Sequence, residues 1–371
     1  MRLARKVDPW MTSAVLGKMR HAADALMRYP FPVWHYGDSI GFEGLLAASQ
    51  LLGDERYASW VHGALKGWAA RRSPFREIDN TAAGHVLCEV AERWSDAHLL
   101  AAAGELADYL LSRRSVKGAF VSFERAPLRL PYGGATLTAE EVLLVKDPGP
   151  GIFVDCMHFD LPFFAHLGTL TGNQALVQTA LDQALAYIDL LQDETGLFWH
   201  FWLEKTSARY GYGWGRGQGW ALLGMLDLLR LVPQDLDGYK RVFASCQRLC
   251  RSLLRYQDNK GAWRSVVTDA AAGPEASTAA FMAAGFARAI EDGCGGSLGP
   301  GRDRAGLAVD AAACGSPRRL DASIRRPLGI DCATALFVRT NWIRGPVGSR
   351  TVAAGRERDD TPASRQCVWA D

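Results

Sequence analysis

The chain has 371 residues, of which 48% are hydrophobic and 22% charged, and a formal net charge of +2. That is enough apolar material for a sizeable core. The charge is too small to recruit a polyanion such as a nucleic acid, and no basic block with interleaved aromatics is present. Charged and polar residues follow Met1-Arg2-Leu3-Ala4-Arg5-Lys6, so no secretory segment is read there, and no apolar run is long enough to span a bilayer. A cytoplasmic protein with no membrane partner is expected. The eight cysteines are scattered without a disulfide framework. Cys246 and Cys250 share a helical face but have no His or second cysteine pair beside them, so structural thiols are expected and no metal site.

Helical periodicity dominates the chain up to about Ile290. Residues 42–52, 161–170 and 220–229 are apolar nearly all round. Between them, Leu99, Ala103, Leu106 and Leu110 form a single apolar stripe, as do Val177, Leu181, Ala184, Ile188 and Leu191. Helices buried on every side belong to an inner layer, and single-stripe helices to an outer one. Breaks at Gly53-Asp54, Ser95-Asp96, Gly172-Asn173 and Pro233 to Gly238 separate them, with Gly suited to end a helix and Asp or Asn to cap the next. Alternating inner and outer helices in repeated hairpins predict an all-α toroid, the (α/α)6-barrel, with its funnel lined by inner-helix N-termini. Only about nine helices are read up to Ile290, short of the roughly twelve that six hairpins need. Strands are scarce; residues 119–123 and 197–202 are read at most as short hairpin pieces.

The pattern changes after Asp292. The last 79 residues hold twelve arginines and no lysine, with no sustained apolar periodicity. Residues 1–292 are therefore read as the catalytic barrel, incomplete at its C-terminal side. Residues 293–371 are read as an aberrant segment, the product of a reading-frame shift in GC-rich DNA or else a disordered tail.

Four clusters carry the candidate chemistry, each where a loop enters an inner helix. They are Trp34-His35-Tyr36-Gly37-Asp38, then Glu77-Ile78-Asp79-Asn80 ahead of Gly84 and His85, then Gly149-Pro150-Gly151-Ile152-Phe153-Val154-Asp155-Cys156-Met157-His158. The fourth pairs Gly196-Leu197-Phe198-Trp199-His200 with Trp214-Gly215-Arg216-Gly217-Gln218-Gly219-Trp220. The chain holds twelve tryptophans, and those in Gly-rich loops suit stacking on the apolar faces of sugar rings or plugging a large core. Arg216, set between glycines that let a ligand approach the backbone, reads as a clamp for a carboxylate or a hydroxyl-rich ligand. Asp79 reads equally as a helix cap.

In order and spacing these motifs resemble the unsaturated rhamnogalacturonyl hydrolases, glycoside hydrolase family 105, relatives of the unsaturated glucuronyl hydrolases of family 88. The resemblance covers residues 34–290. It implies an (α/α)6-barrel, Asp155 as catalytic general acid/base, and Asp79 as the second active-site carboxylate. It also implies His35, Tyr36, His200, Trp214, Arg216 and Trp220 around a small oligosaccharide substrate. The implied reaction protonates C4 of the unsaturated uronate of a lyase product, most simply unsaturated galacturonyl-rhamnose, and adds water at C5, with no metal or cofactor. Carbon protonation needs an acid that keeps its proton near neutrality, so Ile152-Phe153-Val154 are expected to shield Asp155 from water. The segment 127–150 is longer than the family pattern implies and reads as a lid or specificity loop. Two alternatives remain: an inactive or unstable truncated homologue, and another toroid sugar enzyme such as an epimerase or lyase.

Overall fold

The computed structural model describes residues 13–31, 36–71, 84–128, 138–258 and 261–294; His35, Asp79 and the segment 295–371 lie outside them. Eleven helices are present among the described residues: α1 Ser13–Met27, α2 Tyr36–Leu52, α3 Glu55–Arg71, α4 Gly84–Trp94, α5 Ala97–Leu111, α6 Ala139–Lys146, α7 Cys156–Thr171, α8 Gln174–Leu191, α9 Gly215–Leu231, α10 Tyr239–Arg255 and α11 Ala276–Glu291. Five short strands complete the set: β1 Ser115–Val116, β2 Ala119–Phe120, β3 Gly151–Phe153, β4 Phe201–Leu203 and β5 Ala208–Tyr210.

The helices fall into two layers. Successively adjacent α2, α4, α7, α9 and α11 form the inner one, and α7 and α9 are buried along most of their length, as their all-round apolar sequences require. Outside them lie α1, α3, α5, α8 and α10, whose apolar stripes face inward; in α8 that face is Leu176, Val177, Ala180, Leu181, Ala184, Ile188 and Leu191. Taken in chain order this gives five outer–inner pairs among the described residues, an α/α toroid architecture with a sixth pair not represented there.

The helix starts follow local chemistry. Asn173 caps α8 by accepting from the Ala175 and Leu176 amides, directly after Gly172 turns left-handed at φ 71°. Asp96 does the same for α5. Gly238 departs from the expected pattern: at φ 92° it opens α10 instead of closing α9. The helix count also exceeds the nine read from sequence. One of the additions, α6, has no buried residue, so no apolar stripe betrays it; it is set by a capping box between Thr138 and Glu141.

A three-stranded antiparallel sheet, ordered β3-β4-β5, interrupts the helical pattern. Residues 201–210 form its hairpin, and β3 joins it from a segment that the sequence marks only as a loop. Side chains alternate across the sheet. Ile152 and Trp202 join the main core. Phe153 stacks on Phe201 at 4.8 Å, and Phe201 on Tyr210 at 5.4 Å, to build a second apolar cluster covered by Leu144 and Val145 of α6. The long segment 127–150 is thus anchored on the sheet at its described end.

Where inner helices face one another, polar groups are paired across the contacts, as buried polar atoms must be. His158 Nε2 of α7 lies 2.9 Å from Glu43 Oε1 of α2. Arg288 of α11 donates to both oxygens of Asp227 of α9, at 2.7 and 2.8 Å. His166 Nδ1 of α7 lies 3.2 Å from His85 Nδ1 of α4, and its Nε2 lies 3.3 Å from Glu92. Burial draws His85 down from 6.5 to about 4; the carboxylates of Asp227 and Glu43 oppose this, while His166 and His158 add to it. A base depressed in the folded state stabilises the fold fully above its unfolded value, and that contribution fades as pH falls from 6.5 toward 4. Urea unfolding across that window is expected to show declining stability, with a shallower decline in His85→Gln; identical slopes would contradict the coupling.

Candidate active site

The sheet register creates the site. In the antiparallel pairing of β3 with β4, Phe153 lies opposite Phe201, and the Val154 amide donates to the His200 carbonyl at 2.8 Å. Asp155, next in the chain, is thereby set beside the His200 ring. Its Oδ2 lies 3.3 Å from His200 Nε2; the His200 side chain is 1% exposed and that of Asp155 21%. Asp155 stands at the N-cap position of α7, where a carboxylate ordinarily accepts from the first-turn amides. Here it makes no such capping bond. The carboxyl group is turned away from its own helix toward His200. Ile152, Phe153 and Val154 behind it are fully or almost fully buried, as the sequence leads one to expect.

Aromatic rings fix the imidazole. Trp214 lies against His200 with centroids 4.0 Å apart, and Phe153 meets it edge-on at 5.4 Å. Trp214 in turn carries the guanidinium of Arg216, whose Cζ lies 4.8 Å from the ring centroid. Arg216 Nη1 lies 2.6 Å from Glu275 Oε1, from the loop that leads into α11. Asp155, His200, Trp214, Arg216 and Glu275 thus form one continuous line of contacts.

The backbone under this line is tightly bound. The Gly215 amide donates to the Ser265 carbonyl at 2.7 Å, and the Val267 amide to the Gly213 carbonyl at 2.8 Å, so the loop before α9 is stitched to the loop before α11. A Cβ at Gly217 would sit 2.7 Å from Trp214 Cε3 and 3.1 Å from Val154 Cγ1. Only a glycine allows α9 to start this close to both the Trp214 ring and the strand that delivers Asp155. Gln218, fully buried, accepts from the Phe198 amide and donates to the Phe198 carbonyl, both at 2.8 Å, which locks α9 to the stretch ahead of His200.

The remaining expected residues take other places. Trp220 is 1% exposed and packs on His158, Phe159 and Phe281, within the core between the inner helices. Tyr36 opens α2, half-buried against the main core. Trp199 packs on Tyr212 at 4.8 Å. His35 and Asp79 fall outside the described residues. Glu275 was not singled out as a site residue from the sequence. The available signal was a Glu at a helix start with Ser277 and Thr278 just inside it, a pattern that reads as ordinary helix entry.

The sequence matches the glycosyl hydrolase family 88 pattern over residues 11–298. The chain belongs to glycosyl hydrolase family 88. This family 88 glycosidase is similar to the unsaturated rhamnogalacturonyl hydrolase YesR of Bacillus subtilis, with 24% identity over 282 residues covering 74% of this chain and 75% of that protein. Its fold is similar to that of a possible GH105 member from Salmonella enterica serovar Paratyphi A, with TM-score 0.64, 17% identity, and coverage of 92% of this chain and 96% of that one. It is also similar to the unsaturated glucuronyl hydrolase of Bacillus sp. GL1, with TM-score 0.55, 16% identity, and coverage of 90% and 97%. No described helix is long and apolar enough to cross a membrane.

One buried ion pair braces α7 behind the site. Arg113 Nη2 lies 2.7 Å from Asp160 Oδ2, with side chains 8% and 1% exposed, and the guanidinium covers the Phe120 ring at 5.2 Å. Removing one partner strands a buried charge. Arg113→Met is expected to lower unfolding free energy by about 3–5 kcal/mol, and adding Asp160→Asn to restore much of it. Chemical denaturation of the three proteins checks this; a single variant as stable as wild type would refute the brace.

Proposed function

We propose that this glycosidase hydrolyses unsaturated uronyl oligosaccharides released by polysaccharide lyases, with unsaturated galacturonyl-rhamnose from pectin as its substrate. The observation that carries the reading is the Asp155 carboxyl group. It stands at a helix start without capping it, held against His200 at 3.3 Å and backed by an apolar strand. The likeness to an unsaturated rhamnogalacturonyl hydrolase supports the choice of sugar.

In this mechanism the Asp155 carboxyl donates its proton to C4 of the uronate. The electron pair of the C4=C5 double bond forms the new C4–H bond, and the ring oxygen shares the positive charge left at C5. Water then adds to C5 and gives up a proton to the Asp155 carboxylate, which restores the acid. The hemiketal so formed opens, and the neighbouring sugar leaves with its glycosidic oxygen, next to a 4-deoxy-5-keto-uronate. His200 orients the carboxyl group. Arg216 binds the uronate carboxylate, since a guanidinium presents a planar fork of N–H donors that matches a carboxylate. Trp214 presents an aromatic wall, and Trp220, Tyr36 and His35 are the further sugar-binding residues of this reading. Asp79 is the second carboxylate of the family pattern. The chemistry asks only for an acid and a water molecule, and no metal or cofactor.

The same reading takes residues 1–292 as the catalytic domain and 293–371 as a segment of aberrant sequence, which sequencing of the gene past codon 292 tests. It places the enzyme in the cytoplasm, where the free thiols of Cys88, Cys156, Cys246, Cys250 and Cys294 are at home.

The test follows loss of the double-bond absorbance. Decay is expected with lyase-digested pectin and to be slower with digested glycosaminoglycan. Asp155→Asn is expected to reduce turnover by about a hundred- to ten-thousandfold, the usual worth of a general acid, with substrate binding retained. A near-wild-type rate in that variant would refute the assignment, and decay on neither digest would refute the function.

A further inference from the structure

Arg216 owes its orientation to a residue from another helix. Its guanidinium is laid over the Trp214 ring, and its Nη1 lies 2.6 Å from Glu275 Oε1. Glu275 is itself held from several sides. Ser277 Oγ donates to Oε1 at 2.6 Å, Thr278 Oγ1 donates to Oε2, and the Glu275 amide donates to the Trp263 carbonyl at 3.0 Å. Thr278 is fully buried and also lies where a Cβ on Gly215 would go, so its hydroxyl is wedged between the starts of α9 and α11.

This arrangement is not what α11 needs for its own sake. Glu275 occupies the N-cap position, yet its side chain makes no capping bond to the helix backbone. The two hydroxyls of the first turn instead turn the carboxylate sideways, toward α9. The pair is also unlike the surface ion pairs of this chain. In Arg241–Asp189 the side chains are 59% and 61% exposed, whereas Arg216 and Glu275 are 15% and 21% exposed. Exposed pairs contribute little because water and side-chain entropy compete with them. A sheltered pair with a fixed acceptor keeps its geometry.

We propose that Glu275 is a positioning residue of the sugar site: it acts through Arg216, holding the guanidinium over Trp214 in a set orientation before an acidic sugar arrives. This rests on the reading that Arg216 meets the uronate carboxylate. An arginine side chain has many rotamers to lose on binding, and one already ordered loses fewer. The carboxylate also offsets part of the guanidinium charge. The site therefore offers a planar fork of donors and only a weak net positive charge, which suits a carboxylate better than an unshaped anion. The last described hairpin, α10 to α11, thereby contributes to the site itself and not only to the wall.

Steady-state kinetics on unsaturated galacturonyl-rhamnose tests this with four proteins: wild type, Glu275→Gln, Arg216→Met and the double variant. Glu275→Gln is expected to raise KM by about ten- to a hundredfold, the scale of a charge-assisted hydrogen bond, and to leave kcat within about threefold. The double variant is expected to be no worse than Arg216→Met alone, because Glu275 acts only through that side chain. An unchanged KM in Glu275→Gln, or penalties that add in full, would overturn the inference. If Glu275→Gln folds poorly, Ser277→Ala with Thr278→Val loosens the same carboxylate and is expected to raise KM in the same direction; no rise there would equally overturn it. A wild-type enzyme inert on every unsaturated uronide would instead overturn the functional reading on which this inference rests, whereas an active wild type with an indifferent Glu275→Gln would overturn the inference alone.

Discussion

The backbone pairing of β3 with β4 is the constraint on which the site depends. One hydrogen bond, from the Val154 amide to the His200 carbonyl, closes that ladder and fixes where Asp155 begins. Were the register to slip by one residue, every side chain of β3 would change faces. Ile152 would leave the main core, Phe153 would leave its stack on Phe201, and the carboxyl group would no longer meet His200. The small sheet thus does in a helical protein what the helices cannot. It carries a residue from the front of α7 and a residue from the loop ahead of α9 to the same point.

Two residues at helix starts break the local rule in the same way. Asp155 and Glu275 each occupy an N-cap and each leave their helix uncapped by a side chain. Asp96 and Asn173, at equivalent positions on outer helices, cap as expected. Caps are ordinarily worth about 1 kcal/mol, so the fold forgoes that stabilisation at two inner-helix starts. Sites where local preferences are overridden tend to be functional. Here both exceptions lie on the one contact line that runs through His200, Trp214 and Arg216. Stability is made up elsewhere, in the dense inner layer and in polar pairs such as Glu43–His158 and Asp227–Arg288 that tie one inner helix to another.

The layered helices were legible because burial writes itself into sequence with a period near 3.6. The stripe from Val177 to Leu191 and the all-round apolar run of 220–229 appear in the structure as α8 and α9. Most of the contact line was legible too, through the Gly-rich heptad around Arg216 and the short motif ending in His200. What escaped has physical reasons. β3 is three residues long, too short to show alternation. α6 buries no side chain fully and so carries no clear stripe. Glu275 is far along the chain from Arg216 and is distinguished only by the direction its carboxylate takes. Cys294 is buried in the same core as Cys246 and Cys250, a third thiol that spacing along α10 could not announce.

The proposed mechanism rests on one geometric claim: the group at position 155 faces the alkene carbon of an unsaturated uronate and not its anomeric centre. A crystal structure of Asp155→Asn with unsaturated galacturonyl-rhamnose bound measures this directly. The claim predicts C4 of the uronate within about 3.5 Å of the side-chain amide, the reach of a reacting pair, with the sugar's carboxylate on Arg216. A sugar bound with C1 toward residue 155, or seated away from the His200–Trp214 wall, would contradict it.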